Sequence, residues 1–143
     1  MKNLNYQLKQ LCQNNRDGSY STQHNRERIL TLAADQLHAL GYRGLDARSL
    51  KPKHVEALVK HWQVGDISIG TQKNRMSALR WWAQKVDRRN VIARSNDFYG
   101  IPERSFVTNV SKAKDLSSDA VSRIKDDHVR LSLMLQQAFG LRR

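Results

Sequence analysis

One stretch carries the residue types best suited to chemistry: Thr71-Gln72-Lys73-Asn74-Arg75-Met76-Ser77-Ala78-Leu79-Arg80-Trp81-Trp82. Wound as a helix at about 100° per residue, it puts Met76, Leu79, Ala83 and Val86 within about 80°, an apolar stripe suited to a core. The opposite arc carries Lys73, Asn74, Ser77, Arg80, Trp81 and Gln84, with no acidic residue among them. Arginine and lysine suit phosphates and guanine edges, asparagine and glutamine suit adenine, and serine suits a phosphate oxygen. A helix of this width enters the major groove of a DNA duplex. The competing interpretation is a solvated helix face that happens to be basic.

A second candidate surface is Ser21-Thr22-Gln23-His24-Asn25-Arg26, with Arg28 a turn beyond Asn25. The free N–H groups and positive dipole of a helix start favour an anion such as phosphate. Thr22, Asn25 and Arg26 are the candidates here; a plain helix cap with surface charges explains the same residues. No metal site is expected. His24, His54, His61 and His128 stand without a second ligand at usable spacing and read as surface or boundary residues. The single cysteine, Cys12, reads as a small half-buried apolar group and makes neither an internal disulfide nor a zinc site. Paired carboxylates, a nucleophile–base pair and a phosphate loop are not visible, and no cofactor is implied.

These residues need helices to hold them. Seven Gly and two Pro among 143 residues, with apolar positions recurring at helical spacing, predict a nearly all-α protein. Leu4, Leu8, Leu11 and Cys12 mark a first helix ending before Arg16-Asp17-Gly18. Ser21 or Thr22 is the expected cap of a second, whose stripe Ile29, Ala33, Leu37 and Leu40 stops at Gly41. Pro52 opens a third, with Val55, Leu58, Val59 and Trp62 on its apolar face, and Gly65-Asp66 closes it. Ser68 caps a fourth reaching about Val86. Trp62 and Trp82 fall on apolar stripes, whereas Trp81 is ambiguous. Residues 94–115 mix Gly, Pro, Ser and charge without a period and read as a linker, although Phe98, Tyr99, Ile101, Phe106 and Val107 indicate that it packs somewhere. Ser117 or Ser118 caps a short helix, and Asp126 or Asp127 caps another that runs to about Phe139 and is apolar nearly all round. Such a helix calls for burial on several sides.

The charge balance names the partner. Lys plus Arg is 25 and Asp plus Glu is 13, a net of +12. Residues 1–95 hold 17 basic and 7 acidic residues, net +10, against 8 and 6 in residues 96–143, net +2. A polyanion is the default partner of such a chain, and it binds the first two thirds. No apolar run approaches the ~18 residues of a membrane span. The N-terminus lacks a signal-like apolar region. A cytoplasmic location, in the bacterial cell at large or on the nucleoid, without membrane contact is expected.

Three runs in order carry a family resemblance: Ser21-Thr22…Arg26…Leu30, then Leu50-Lys51-Pro52-Lys53-His54-Val55, then Gly70-Thr71-Gln72-Lys73-Asn74-Arg75-Met76-Ser77-Ala78-Leu79-Arg80. Together they resemble the N-terminal core-binding domain of the tyrosine recombinase (phage integrase) family. Further on, Leu116-Ser117-Ser118-Asp119 and Phe139-Gly140-Leu141-Arg142 are similar to the start of that family's catalytic domain. The resemblance implies a SAM-like bundle of four to five helices at residues 1–93, a linker at 94–115 and the first two helices of an incomplete catalytic domain at 116–143. It implies double-stranded DNA as partner, with other recombinase protomers on the same DNA. It brings Thr71 and Arg75 into the DNA-binding set with Lys73, Asn74, Ser77, Arg80 and Gln84. Arg142 matches the family's first catalytic arginine, which holds the scissile phosphate. Tyr6, Tyr20, Tyr42 and Tyr99 all precede it, so none matches the family's nucleophile, and this polypeptide is expected to bind DNA without cutting it. The alternative from another class is a helical protein-interaction module that binds an acidic partner or self-associates through its last helix.

Overall fold

Short polar residues and helix breakers set the helix ends. A computed structural model describes residues 3–107, 110 and 116–140. They form α1 (Asn3–Asn14), α2 (Tyr20–Ala39), α3 (Pro52–Val64), α4 (Ile69–Lys85), α5 (Ser118–Ser122) and α6 (Asp127–Phe139), with single 3-10 turns at Ala47–Ser49, Arg89–Val91 and Asp97–Tyr99. There is no strand among the described residues. Ser68, Ser117 and Asp126 cap α4, α5 and α6 as their positions in the sequence predict, each accepting from first-turn backbone N–H groups. The cap of α2 is Ser19 rather than Ser21 or Thr22. Extended backbone at Ser19 (φ −65°, ψ 161°) starts the helix a turn earlier, and its hydroxyl accepts from the Thr22 N–H.

The chain divides into two compact units, Met1–Arg104 and Ser105–Arg143. The core of the first is drawn from all four of its helices. Leu8, Leu30, Leu37, Leu58, Met76 and Leu79 are fully buried, with Trp62 and Trp82 the largest side chains among them. Both indoles bury a donor, and both satisfy it: Trp62 Nε1 donates to Gln36 Oε1 at 2.8 Å and Trp82 Nε1 to the Ala47 carbonyl at 2.8 Å. Alanines at 33, 34, 78 and 83 are buried as well, and their small side chains let the helices approach closely.

Residues 94–104, read in the sequence as the first half of a linker, are built onto this unit. Ile101 is 1% exposed. The Tyr99 hydroxyl accepts from the Ala93 N–H at 3.0 Å, and Gln63 Nε2 donates to the Tyr99 carbonyl at 2.8 Å. A left-handed Gly100 (φ +67°) makes the turn between Tyr99 and Ile101. The apolar residues flagged in that stretch therefore do not share one fate: Ile101 enters the core, while Phe98 stays exposed.

In the second unit, Val121 is buried, and Gln137 Nε2 on α6 donates to the Leu116 carbonyl at 3.2 Å. On α6, Val129, Leu131, Met134, Leu135 and Phe139 are 41–71% exposed, so packing within this unit does not cover them.

If residues 94–104 belong to the first unit, Ile101→Ala costs about 2–5 kcal/mol, as for other buried aliphatic truncations. Thermal unfolding should show this as a Tm lowered by roughly 8 °C or more. A drop of a degree or less would return the stretch to the linker.

Candidate nucleic-acid interface

The two helices that carry the predicted surface begin alike. Ser19-Tyr20-Ser21-Thr22-Gln23-His24-Asn25-Arg26 and Ser68-Ile69-Gly70-Thr71-Gln72-Lys73-Asn74-Arg75 share Ser-x-x-Thr-Gln-x-Asn-Arg. In each, the serine Oγ accepts from the threonine N–H at 3.3 Å and bonds the threonine hydroxyl, at 2.9 Å in α2 and 2.8 Å in α4. The glutamine then reaches back to a carbonyl just before the helix: Gln23 Nε2 to Gly18 at 2.7 Å, Gln72 Nε2 to Ile67 at 2.6 Å. These two bonds hold the polar residues that follow in matching positions. The repeat was visible in the sequence and is the signal that would have paired the two surfaces.

α2 and α4 run in opposite directions. The first turns of α2 lie beside the last turns of α4, where the Arg26 guanidinium stacks 4.4 Å from the Trp81 ring. Farther along, Leu32 of α2 and Thr71 of α4 line one recess. A groove thus runs between the helices. One end, about 260 Å³, is lined by Thr22, Asn25, Arg26, Asn74, Ser77 and Trp81 over a floor of Ile29 and Ala78. The other, about 130 Å³, shares Asn25 and Asn74 and adds Arg28, Thr71 and Arg75. Asn25 and Asn74, equivalent residues of the repeat, therefore stand together at the middle.

The groove brings together Thr22, Asn25, Arg26, Thr71, Asn74, Arg75 and Ser77 of the sequence-derived set. Lys73, Arg80 and Gln84 do not line it. They occupy a neighbouring arc of α4, roughly 80–120° from Asn74 at 100° per residue. Arg80 is engaged within the protein: Nε and Nη2 donate to the Ala93 carbonyl at 3.2 and 3.0 Å, and Nη2 also to Asn96 Oδ1 at 2.7 Å. It ties residues 93–96 to α4, a role set by chain packing that a helical wheel does not show. Arg142 lies outside the described residues.

Asp17, absent from the expected set, stands at the α2 start. It accepts from Trp81 Nε1 at 2.9 Å and pairs with Lys85 at 2.7 Å, while its backbone carbonyl accepts from Arg26 Nη1 at 3.1 Å. Trp81, ambiguous by sequence, is thereby fixed at the groove's end between Arg26 and Lys85. His54 corrects the expectation of a surface histidine. It is 4% exposed, its Nδ1 accepts from the Lys51 N–H at 3.1 Å, and burial next to Lys53 and Lys51 lowers its pKa. Burial and Glu27 push the Cys12 thiol up to about 11, so it stays protonated at neutral pH.

The first unit is an all-α, SAM-like helical bundle. The family model for the phage integrase N-terminal domain matches residues 1–92, and the chain belongs to the phage integrase (tyrosine recombinase) family. Residues 1–92 correspond to the N-terminal region of a site-specific recombinase. No curated protein and no solved structure matches the chain significantly. Among the described residues, no helix is long and apolar enough to cross a membrane.

The Lys85 ammonium first, and the Trp81 N–H second, hold the Asp17 carboxyl below its ordinary range. A depressed folded pKa adds stability above the unfolded pKa, and this is lost as pH falls through the folded one. The Tm advantage of the parent over Asp17→Asn should therefore be full at neutral pH and shrink below about pH 4. Parallel Tm curves for the two proteins down to about pH 2 would show that the carboxylate does not hold this end of the groove.

Proposed function

We propose that the first unit binds double-stranded DNA by laying the α2/α4 groove against the duplex. One observation carries this reading. Two separate helices deliver matching amides, hydroxyls and guanidinium groups into a single groove whose described lining holds no acidic residue. Arg26 and Arg75 take phosphates, and Lys73 adds charge from the neighbouring arc. Asn25, Asn74 and Ser77 reach toward base edges, where the amides favour adenine. Both arginines rest on tryptophan rings, Arg26 on Trp81 at 4.4 Å and Arg75 on Trp62 at 5.3 Å, so their planar forks are partly oriented before DNA arrives.

The second unit is proposed as the beginning of a catalytic domain, on the resemblance at Leu116-Ser117-Ser118-Asp119. Arg142 would contact the scissile phosphate there. Other recombinase protomers on the same DNA are partners under this reading. The protein-interaction alternative has one observation in its favour, the exposed apolar side chains of α6.

Duplex binding measured across salt tests the proposal. Log affinity should fall linearly with log salt, by about 0.9 for each phosphate neutralised. Asn25→Ala/Asn74→Ala should weaken binding by about 1–3 kcal/mol per amide pairing lost and flatten sequence preference, with little change in that slope. Affinity indifferent to salt and to both asparagines would refute the DNA reading and favour a protein partner.

A further inference from the structure

The two ends of the groove are chemically unequal. At the α2 start the cations have internal partners: Arg26 donates to the Asp17 carbonyl, and Lys85 pairs with the Asp17 carboxylate. At the other end no carboxylate lines the recess. Arg75 Nη1 is buried and has no hydrogen-bond partner. The Arg75 guanidinium lies 5.3 Å from the centre of the Trp62 ring, which covers a face of the guanidinium but accepts no hydrogen bond in its plane. Burial first, and the charge of Arg28 second, lower the Arg75 pKa. A buried donor without a partner and two like charges side by side are both costly arrangements. Asn25 Oδ1 accepts from Arg28 Nη2 at 3.3 Å, which holds that second guanidinium at the rim of the recess.

We infer that the recess lined by Asn25, Arg28, Thr71, Asn74 and Arg75 is a preformed hole for a single phosphodiester oxyanion of the DNA backbone, gripped jointly by Arg28 and Arg75. This rests on the DNA reading and assigns work within it: the phosphate anchor is at the α2-middle/α4-start end, and the amides and hydroxyls toward Ser77 and Thr22 face bases. The recess, about 130 Å³, has room for one tetrahedral oxyanion. Thr71 sits in the first turn of α4, where free N–H groups add positive potential. Ser68 Oγ already accepts from the Thr71 N–H, so Ser68 can donate its own hydrogen to Thr71 and leave the Thr71 hydroxyl free to donate to the anion. An anion between them supplies the negative charge that Arg28 and Arg75 do not find among the residues lining the recess.

The test is fluorescence-anisotropy binding of the full chain to a mixed-sequence duplex at several salt concentrations, with melting curves alongside. Arg28→Gln/Arg75→Gln should lower the log–log salt slope by about 0.9, the value for one phosphate, and weaken every duplex alike. Arg75→Gln should melt no lower than the parent, because it removes a desolvated cation without a partner. Should Arg75→Gln nevertheless unfold, the exposed Arg28→Gln together with Thr71→Val carries the same expectation of a reduced slope. A slope lowered by about 1.8 means two separate phosphates and overturns the shared grip. An unchanged slope, with Asn25→Ala/Asn74→Ala still weakening binding, overturns the anchor while leaving the groove as the DNA surface. If neither set of variants changes binding, the groove reading falls and takes the anchor with it.

Discussion

The opposed packing of α2 and α4 is the contact on which the candidate surface of the first unit depends. Ile29 of α2 and Ala78 of α4 form the floor between them, and the small side chain at 78 leaves the groove open. Beneath that floor Leu30, Leu79 and Trp82 are fully buried. A larger residue at 78 would fill the groove from below. The same packing brings Asn25 and Asn74, forty-nine positions apart in the chain, to the middle of one surface. Neither helix alone presents the whole donor set: α2 brings Thr22, Asn25 and Arg26, and α4 brings Thr71, Asn74, Arg75 and Ser77.

Charge is handled differently at the two ends of that surface, and the difference follows from where acids were placed. A basic chain with net +12 has few carboxylates to distribute. One of them, Asp17, sits at the α2 start and fixes Trp81 and Lys85 there. None lines the recess at Arg75 and Arg28, so the protein tolerates two cations close together. On the proposed reading, an incoming phosphate would supply the negative charge this end lacks.

Most of the helices were legible in the sequence. The stripe of Met76, Leu79 and Ala83 is buried as spacing predicts, and Pro52, Ser68 and Asp126 mark helix starts where they stand. The site was legible only in part, for reasons that are tertiary. A helical wheel separates a wet side from a dry side, but it does not say which part of the wet side meets another segment. Arg80 lies on the wet side of α4 by that criterion, yet the returning chain at 93–96 binds its guanidinium. Arg75 sits near the apolar stripe and still opens into the groove, because Trp62 carries its planar face. His54 is buried through a backbone bond to Lys51 that composition does not signal. The repeated Ser-x-x-Thr-Gln-x-Asn-Arg was the one clue in the sequence that joined α2 to α4.

Under the proposed function, duplex DNA occupies the α2/α4 groove. Amide chemical-shift mapping of this 16.5 kDa chain during titration with a short duplex tests it most directly. The account predicts that the largest shifts fall at residues 22–29 and 71–81, on both helices at once, and diminish as salt is raised. Shifts concentrated on α1 or α6, with the two asparagines unmoved, would contradict it.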